Sequence, residues 1–220
     1  FYTKKINLFQ KFVIEKTDDI FSERSLKFLD DLSKIIIKDK KSRGFPDLIT
    51  FAFFIRKSNI KKLKNIYKVD NDLRIGRGVV FHISPSNVPI NFAYSMVAGI
   101  LSGNNNIIRV PSKKFVQTEI IADALNKLFI NNKYFENKIS LISYPSSSTV
   151  TSELSKICDV RVIWGGDETI KNIRKFQLPV RAFDVTFSDR YSFSLINADE
   201  YMDEKNREIF RLDGNGCYRY

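Results

Sequence analysis

The chain has 220 residues, 43% of them hydrophobic, and a formal charge of +11 from 36 Lys plus Arg against 25 Asp plus Glu. A real core is therefore available to one large domain, or to one domain with a helical extension, and the excess charge favours anionic partners without choosing among nucleotide, coenzyme A, nucleic acid and membrane phosphates. Two cysteines exclude a disulfide framework and fit a reducing cytoplasm, one His leaves little material for a His-based metal cluster or a Ser-His-Asp triad, and the lack of a run of about 18 apolar residues argues against a membrane span.

Residues 1–70 read as helical. Leu26, Leu29, Leu32, Ile35 and Ile36 recur at helical spacing from Ser22 onward. Gly44 and Pro46 break the pattern, and Pro46 suits the first turn of a second helix, where its missing N–H costs nothing. Leu48, Phe51, Ala52 and Ile55 give that helix an apolar side, and Ile60, Leu63 and Ile66 suggest a third, short one. Two basic clusters, Lys38, Lys40, Lys41 and Arg43, then Lys57, Lys61, Lys62 and Lys64, read as solvated helix ends and faces. No nucleic-acid-binding motif accompanies them, so no nucleic-acid partner is expected. The start lacks the basic-then-apolar pattern of a signal peptide.

From Gly76 the pattern changes to α/β. Strands are expected over Val79–Ile83, Ile107–Val110, Ile139–Tyr144, Val160–Trp164 and Ala182–Thr186, with Phe193–Ile196 as a further candidate. Helices are expected over Asn91–Leu101, Val116–Phe129, Ser152–Lys156 and Glu168–Lys175. Such alternation is the signature of crossover connections and a largely parallel sheet. The most informative stretch runs from Gly78 to Pro89, a β-branched strand that ends in a Ser/Pro/Asn turn before a helix. In a Rossmann-like unit that junction is where ligands meet strand ends and helix N-termini. Asn87 stands where its amide points into a site, caps the helix or fixes the turn. His82 reads as a packed histidine within the strand, and Cys158 as a buried thiol.

Four segments in order resemble the acyl-CoA reductase family, the fatty acid reductase component of bacterial luminescence, within the aldehyde dehydrogenase superfamily. They are Gly78 to Pro89 with its Asn-Val-Pro element, Gly103 to Ser112, Val162 to Glu168, and Phe187-Ser188-Asp189-Arg190-Tyr191-Ser192. The helix from Leu48, ending in Arg56-Lys57-Ser58-Asn59, also looks like the family's, and the resemblance covers most of residues 45–197. It implies an α/β fold: a Rossmann-like nucleotide-binding domain of the aldehyde dehydrogenase type over residues 71–220, truncated before a catalytic domain, after an N-terminal helical segment over residues 1–70. It also implies NADPH-dependent reduction of a fatty acyl-CoA or acyl thioester to an aldehyde through a cysteine thioester, with NADH as the other cofactor.

The resemblance assigns roles by position. Asn87 would donate to the thioester oxygen, a sensible task for an amide held at a strand-to-helix turn. Arg109 stands where the wider superfamily commonly has Lys, and its planar fork suits a ribose 2′-phosphate. Ser84, Ser112 and Lys113 are further cofactor-binding candidates, and Gly165 and Gly166 resemble the glycines beside the pyrophosphate. Asn215-Gly216-Cys217 resembles the approach to the nucleophile, so Cys217 is the candidate thiol that attacks the acyl thioester. Tyr218-Arg219-Tyr220 departs from the small polar residue and Pro expected after it. Thr186 stands where oxidising relatives carry a water-activating Glu, which fits a reductase. Asp189 and Arg190 read as a loop ion pair or as support for the cofactor side. No metal is expected. The implied surroundings are cytoplasmic, with an acyl-CoA or acyl-protein substrate, an acyl-transferring or acyl-activating protein partner and a homo-oligomer. The competing class is a nucleotide-binding or assembly protein without catalysis.

Overall fold

In the computed structural model the described residues are 15–67, 74–111, 113–145 and 149–188. They belong to one compact unit over Phe1–Ser188; the second unit, Asp189–Tyr220, lies outside them, as does the strand expected at Phe193–Ile196. Three helices come first: α1 (Glu23–Lys38), then a short 3-10 turn (Lys40–Gly44), α2 (Pro46–Phe54) and α3 (Lys57–Ile66). The α/β part follows as β1 (Val79–Ile83), α4 (Asn91–Leu101), β2 (Asn105–Arg109), α5 (Val116–Phe129), α6 (Lys133–Lys138), β3 (Ile139–Ile142), α7 (Val150–Ile157), β4 (Val160–Trp164), α8 (Asp167–Arg174) and β5 (Phe183–Phe187).

The five strands form one sheet in the order β3-β2-β1-β4-β5, and every pairing is parallel. Chain order runs outward from β1 through β2 to β3, then returns to the other side of β1 with β4 and β5. The reversal lies between β1 and β4, the switch point at which doubly wound sheets open a crevice beyond the strand ends. Ile83 at the end of β1 is in register with Arg109 of β2 and with Ile163 of β4. The segments after these three strands therefore leave the sheet along one edge, side by side.

Each face of the sheet has its own core. On one face Leu26, Leu29, Leu32 and Ile36 of α1 share a cluster with Phe51 of α2, Met96 of α4 and Ile121 of α5. Ser22 opens α1 as its cap, its hydroxyl accepting from the Ser25 N–H at 3.2 Å. On the other face Val79, Phe81 and Ile83 meet Leu154 of α7, Ile163 of β4 and Ile170 of α8. The even residues of β1 face α1, α2, α4 and α5 and the odd ones face α7 and α8, the period-2 alternation of a strand buried on both sides.

Several boundaries differ from the sequence reading, among them those of β2, β3, α7, α8 and β5, and α6 is an element it lacked. β2 starts at Asn105 because Asn105 and Asn106, poor strand formers, are buried with partners: the Asn105 amide donates to the Glu15 carbonyl at 2.8 Å and that of Asn106 to the Asn104 carbonyl at 2.9 Å. The helix from Leu48 stops at Phe54, and Arg56 is the extended residue before α3, so Arg56-Lys57-Ser58-Asn59 opens a helix instead of ending one. α6 has no apolar stripe to announce it. Its signals are the Asn132 cap, accepting from the Phe135 N–H at 3.3 Å, and the Phe135 ring, stacked on Phe28 at 4.0 Å.

α4 ends in a six-residue reversal in which the Asn104 N–H reaches the Gly99 carbonyl at 3.1 Å and the Gly103 N–H the Ile100 carbonyl at 3.0 Å. Gly103 takes φ +75°, which favours glycine. Gly99 is required for a different reason: a Cβ there would run into the Asn106 side-chain oxygen and lie 3.0 Å from His82 Nε2. Gly→Ala inside a helix normally gains about 1 kcal/mol. Gly99→Ala is expected to lose about 1–3 kcal/mol instead, through overpacking. A urea midpoint at or above wild type would contradict that close approach.

Candidate functional site

The sheet edge beyond β1, β2 and β4 gathers most of the described candidates. Ser84 follows β1 and is 9% exposed, and its hydroxyl has no hydrogen-bond partner. A buried hydroxyl without a partner costs free energy unless something completes it, and among the described residues Ser84 shares this state with Ser42 Oγ and Asn105 Oδ1. Asn87, in the turn beyond, is exposed. It does not cap α4: the N-cap is Ile90, with no side-chain hydrogen bond to the first turn. The capping alternative is thereby removed.

Arg109 ends β2 half-buried. Its guanidinium lies over the Tyr144 ring, 4.7 Å from the centroid, and reaches the Tyr144 carbonyl at 3.5 Å. The Tyr144 hydroxyl is bonded to Thr151 at 2.9 Å, and burial, the dominant cause, raises its pKa. Arg109 is thus braced from one side by an aromatic face, which leaves donors of its fork for an anion. Lys113 is exposed, its ammonium 5.3 Å from the Phe115 ring centroid. Ser112 and Cys217 lie outside the described residues, as do Asp189 and Arg190.

Gly165 and Gly166 form the turn between β4 and α8, and Gly166 is the helix N-cap. The Gly165 N–H donates to the Phe187 carbonyl at 3.2 Å, and a Cβ on Gly165 would sit 3.1 Å from the Thr169 methyl carbon. The first turn of α8 carries Asp167 and Glu168, which already satisfy its dipole. A pyrophosphate here would rely on the glycine backbone more than on the helix end. Thr186 sits in β5, half-buried and in register with Ile163.

Sequence reading missed a polar line under the same edge. His82 is fully buried, with Nδ1 2.8 Å from Ser95 Oγ and Nε2 3.0 Å from Asn106 Oδ1. The Trp164 indole N–H donates to Ser95 Oγ at 3.2 Å. Burial, the larger cause, lowers the His82 pKa from 6.5 to about 4 against a smaller raising effect of Asn106. Between these two pH values the unfolded chain takes up a proton that the folded chain refuses. Stability therefore falls as pH drops from about 6.5 to about 4, by up to about 3 kcal/mol, and is unaffected by this group above 6.5. His82→Asn is expected to flatten that part of the acid dependence; identical slopes of urea stability against pH would contradict it.

The described thiol, Cys158, is fully buried at the start of β4, away from this edge, and burial pushes its pKa up to about 11. Among the described residues no group of His, Cys, Asp and Glu could hold a metal ion, and no helix is long and apolar enough to cross a membrane.

The fold is that of the aldehyde dehydrogenases. A glyceraldehyde-3-phosphate dehydrogenase from Methanocaldococcus jannaschii, solved in complex with NADP, superimposes with a TM-score of 0.52 at 17% identity, over 75% of this chain and 40% of that one. A betaine aldehyde dehydrogenase from Staphylococcus aureus, in complex with NAD+, gives 0.53 at 15% identity, over 70% and 34%. The chain belongs to the acyl-CoA reductase (LuxC) family, whose model matches residues 56–212. The long-chain acyl-protein thioester reductase of Vibrio harveyi is 27% identical over 151 residues, 64% of this chain and 31% of that protein. Its counterpart in Aliivibrio fischeri is 29% identical over 127 residues, 56% and 26%. The chain thus spans less than a third of the length of these relatives.

Proposed function

We propose that this chain carries the cofactor-binding part of an NADPH-dependent reductase that converts a long-chain acyl thioester, acyl-CoA or acyl-protein, to an aldehyde. The family membership supports the reaction class. The observation that carries the site is the partnerless Ser84 hydroxyl at the β1/β4 switch point, flanked by the Gly165-Gly166 turn on one side and Arg109 on the other. That set suits a dinucleotide: a hydroxyl for a ribose or phosphate oxygen, a turn without side chains for close approach, and a guanidinium fork for a 2′-phosphate.

When bound, the cofactor supplies a hydride. The chain's own residues do the rest. Cys217 attacks the acyl thioester, the carbonyl carbon gains the new C–S bond, and the substrate thiol leaves with a proton. Asn87, exposed at the edge and free of a capping duty, donates its amide N–H to the carbonyl oxygen as charge develops there. Thr186 has no carboxylate with which to activate water, so the acyl group leaves by reduction instead of hydrolysis. In this reading residues 71–220 are the nucleotide-binding domain and residues 1–70 its helical support. The setting is cytoplasmic, an acyl-transferring or acyl-activating protein supplies the substrate, and the working form is a homo-oligomer.

A second reading, nucleotide binding without catalysis, is favoured by the place of Cys158, a described thiol that is buried and far up the strand from the edge. Acyl labelling of Cys217 separates the two readings. The cofactor itself is tested by titration. NADPH is expected to bind more tightly than NADH by about 1.5–3 kcal/mol, the range for a charge-assisted contact before desolvation, and Arg109→Ala to remove the difference. Equal affinities for the two cofactors in both proteins would contradict the role of Arg109.

A further inference from the structure

Four elements contribute one side chain each to the polar line beneath the crevice: His82 from β1, Ser95 from α4, Asn106 from β2 and Trp164 from β4. Its direction is fixed by what each group can do. The indole N–H only donates, so Ser95 Oγ accepts it. Asn106 gives its amide N–H to the Asn104 carbonyl, which turns its oxygen toward His82 Nε2. Nε2 therefore carries the ring proton, and Nδ1 is left as an acceptor for the Ser95 hydroxyl. Every polar atom of the line is satisfied with a neutral imidazole.

We infer that His82, acting through Ser95, is a positioning residue that locks the Trp164 ring and with it the wall of the dinucleotide crevice. Apolar residues would fill the same volume without needing partners, so stability alone does not call for this line. What it does, and apolar packing does not, is direct the single N–H of one indole. That indole is also stacked on Phe187, centroids 3.8 Å apart and rings 8° from parallel, at the exposed end of β5. It lies on the same sheet face as Ser84, since Ile83 and Ile163 are paired, and it directly precedes Gly165-Gly166. A ring held by a hydrogen bond at one end and a stack on its face has one position, and the turn that starts from its backbone inherits that position.

The part of the inference that concerns the crevice rests on the cofactor reading proposed above; the part that concerns Trp164 does not. Trp164 is the sole tryptophan in the chain, so its fluorescence reports its own clamp. In the full chain, Ser95→Ala and His82→Leu are expected to shift the emission maximum and raise quenching by acrylamide. Both are expected to weaken NADPH at least about 10-fold, as for a lost buried hydrogen bond. His82→Asn, which keeps an acceptor toward Ser95, is expected to restore emission and affinity together. Ser155→Ala removes a buried hydroxyl on the opposite sheet face and controls for lost stability. Unchanged emission in Ser95→Ala, or an equal loss of affinity in Ser155→Ala, would overturn the inference. If Ser95→Ala does not fold, His82→Leu against His82→Asn decides the same point. If NADPH binds to no form while emission shifts as expected, the cofactor reading fails and the positioning of Trp164 stands.

Discussion

Incubation of the longest available form of the protein with a long-chain acyl-CoA and no reductant is expected to leave the acyl group on Cys217, and Cys217→Ala to carry none. The physical basis is ionisation and access. An ordinary exposed thiol is a few per cent thiolate at neutral pH, and a thiol beside cations or a helix end considerably more. Cys158 competes on far worse terms. Burial raises its pKa to about 11, so about one in ten thousand such thiols is ionised at pH 7. Its sulfur is fully buried and faces the Ser155 carbonyl at 3.5 Å. Peptide mapping by mass spectrometry locates the label. An acyl group on Cys158 would overturn the assignment of Cys217, and a chain that binds NADPH but carries no acyl group would favour nucleotide binding without catalysis.

Asn87→Ala is expected to slow acyl transfer by about 100- to 1000-fold, the usual cost of removing one donor to a developing oxyanion. Cofactor affinity and stability are expected to change little. The second expectation follows from the structure: Asn87 is exposed, and the N-cap of α4 is Ile90, which makes no side-chain cap, so the mutation removes no capping bond. A folded Asn87→Ala protein with the full single-turnover rate would contradict the oxyanion role. Marked destabilisation would instead assign Asn87 to the turn.

The elements that carry strong apolar periodicity were legible from the sequence. β1, β4, α4 and α5 lie over the residues expected, and Pro46 opens α2 in its first turn. All five strands are parallel, as the alternation of strands and helices implied. What was not legible depends on partners distant in sequence. Asn105 and Asn106 look like turn residues until the Glu15 carbonyl and His82 are placed beside them. His82 reads correctly as a packed histidine, yet nothing in Val79-Val80-Phe81-His82-Ile83 announces that Ser95, thirteen positions on, and Trp164 join it. Gly99 looks like a weak point in a helix and is in fact the position that lets α4 settle onto that line. The candidate site was legible as segments, through family resemblance. The reason those segments meet is the reversal of strand order between β1 and β4, which no local pattern encodes.

The proposed reaction reduces an acyl group held on Cys217 with a nicotinamide cofactor bound at the β1/β4 edge. The most direct test is a single turnover of the acylated protein with NADPH deuterated at the transferred position. The acyl group is expected to leave as aldehyde with one deuterium on its carbonyl carbon, and Arg109→Ala is expected to slow this discharge at limiting cofactor. Release of the free fatty acid, or of aldehyde without deuterium, would contradict it.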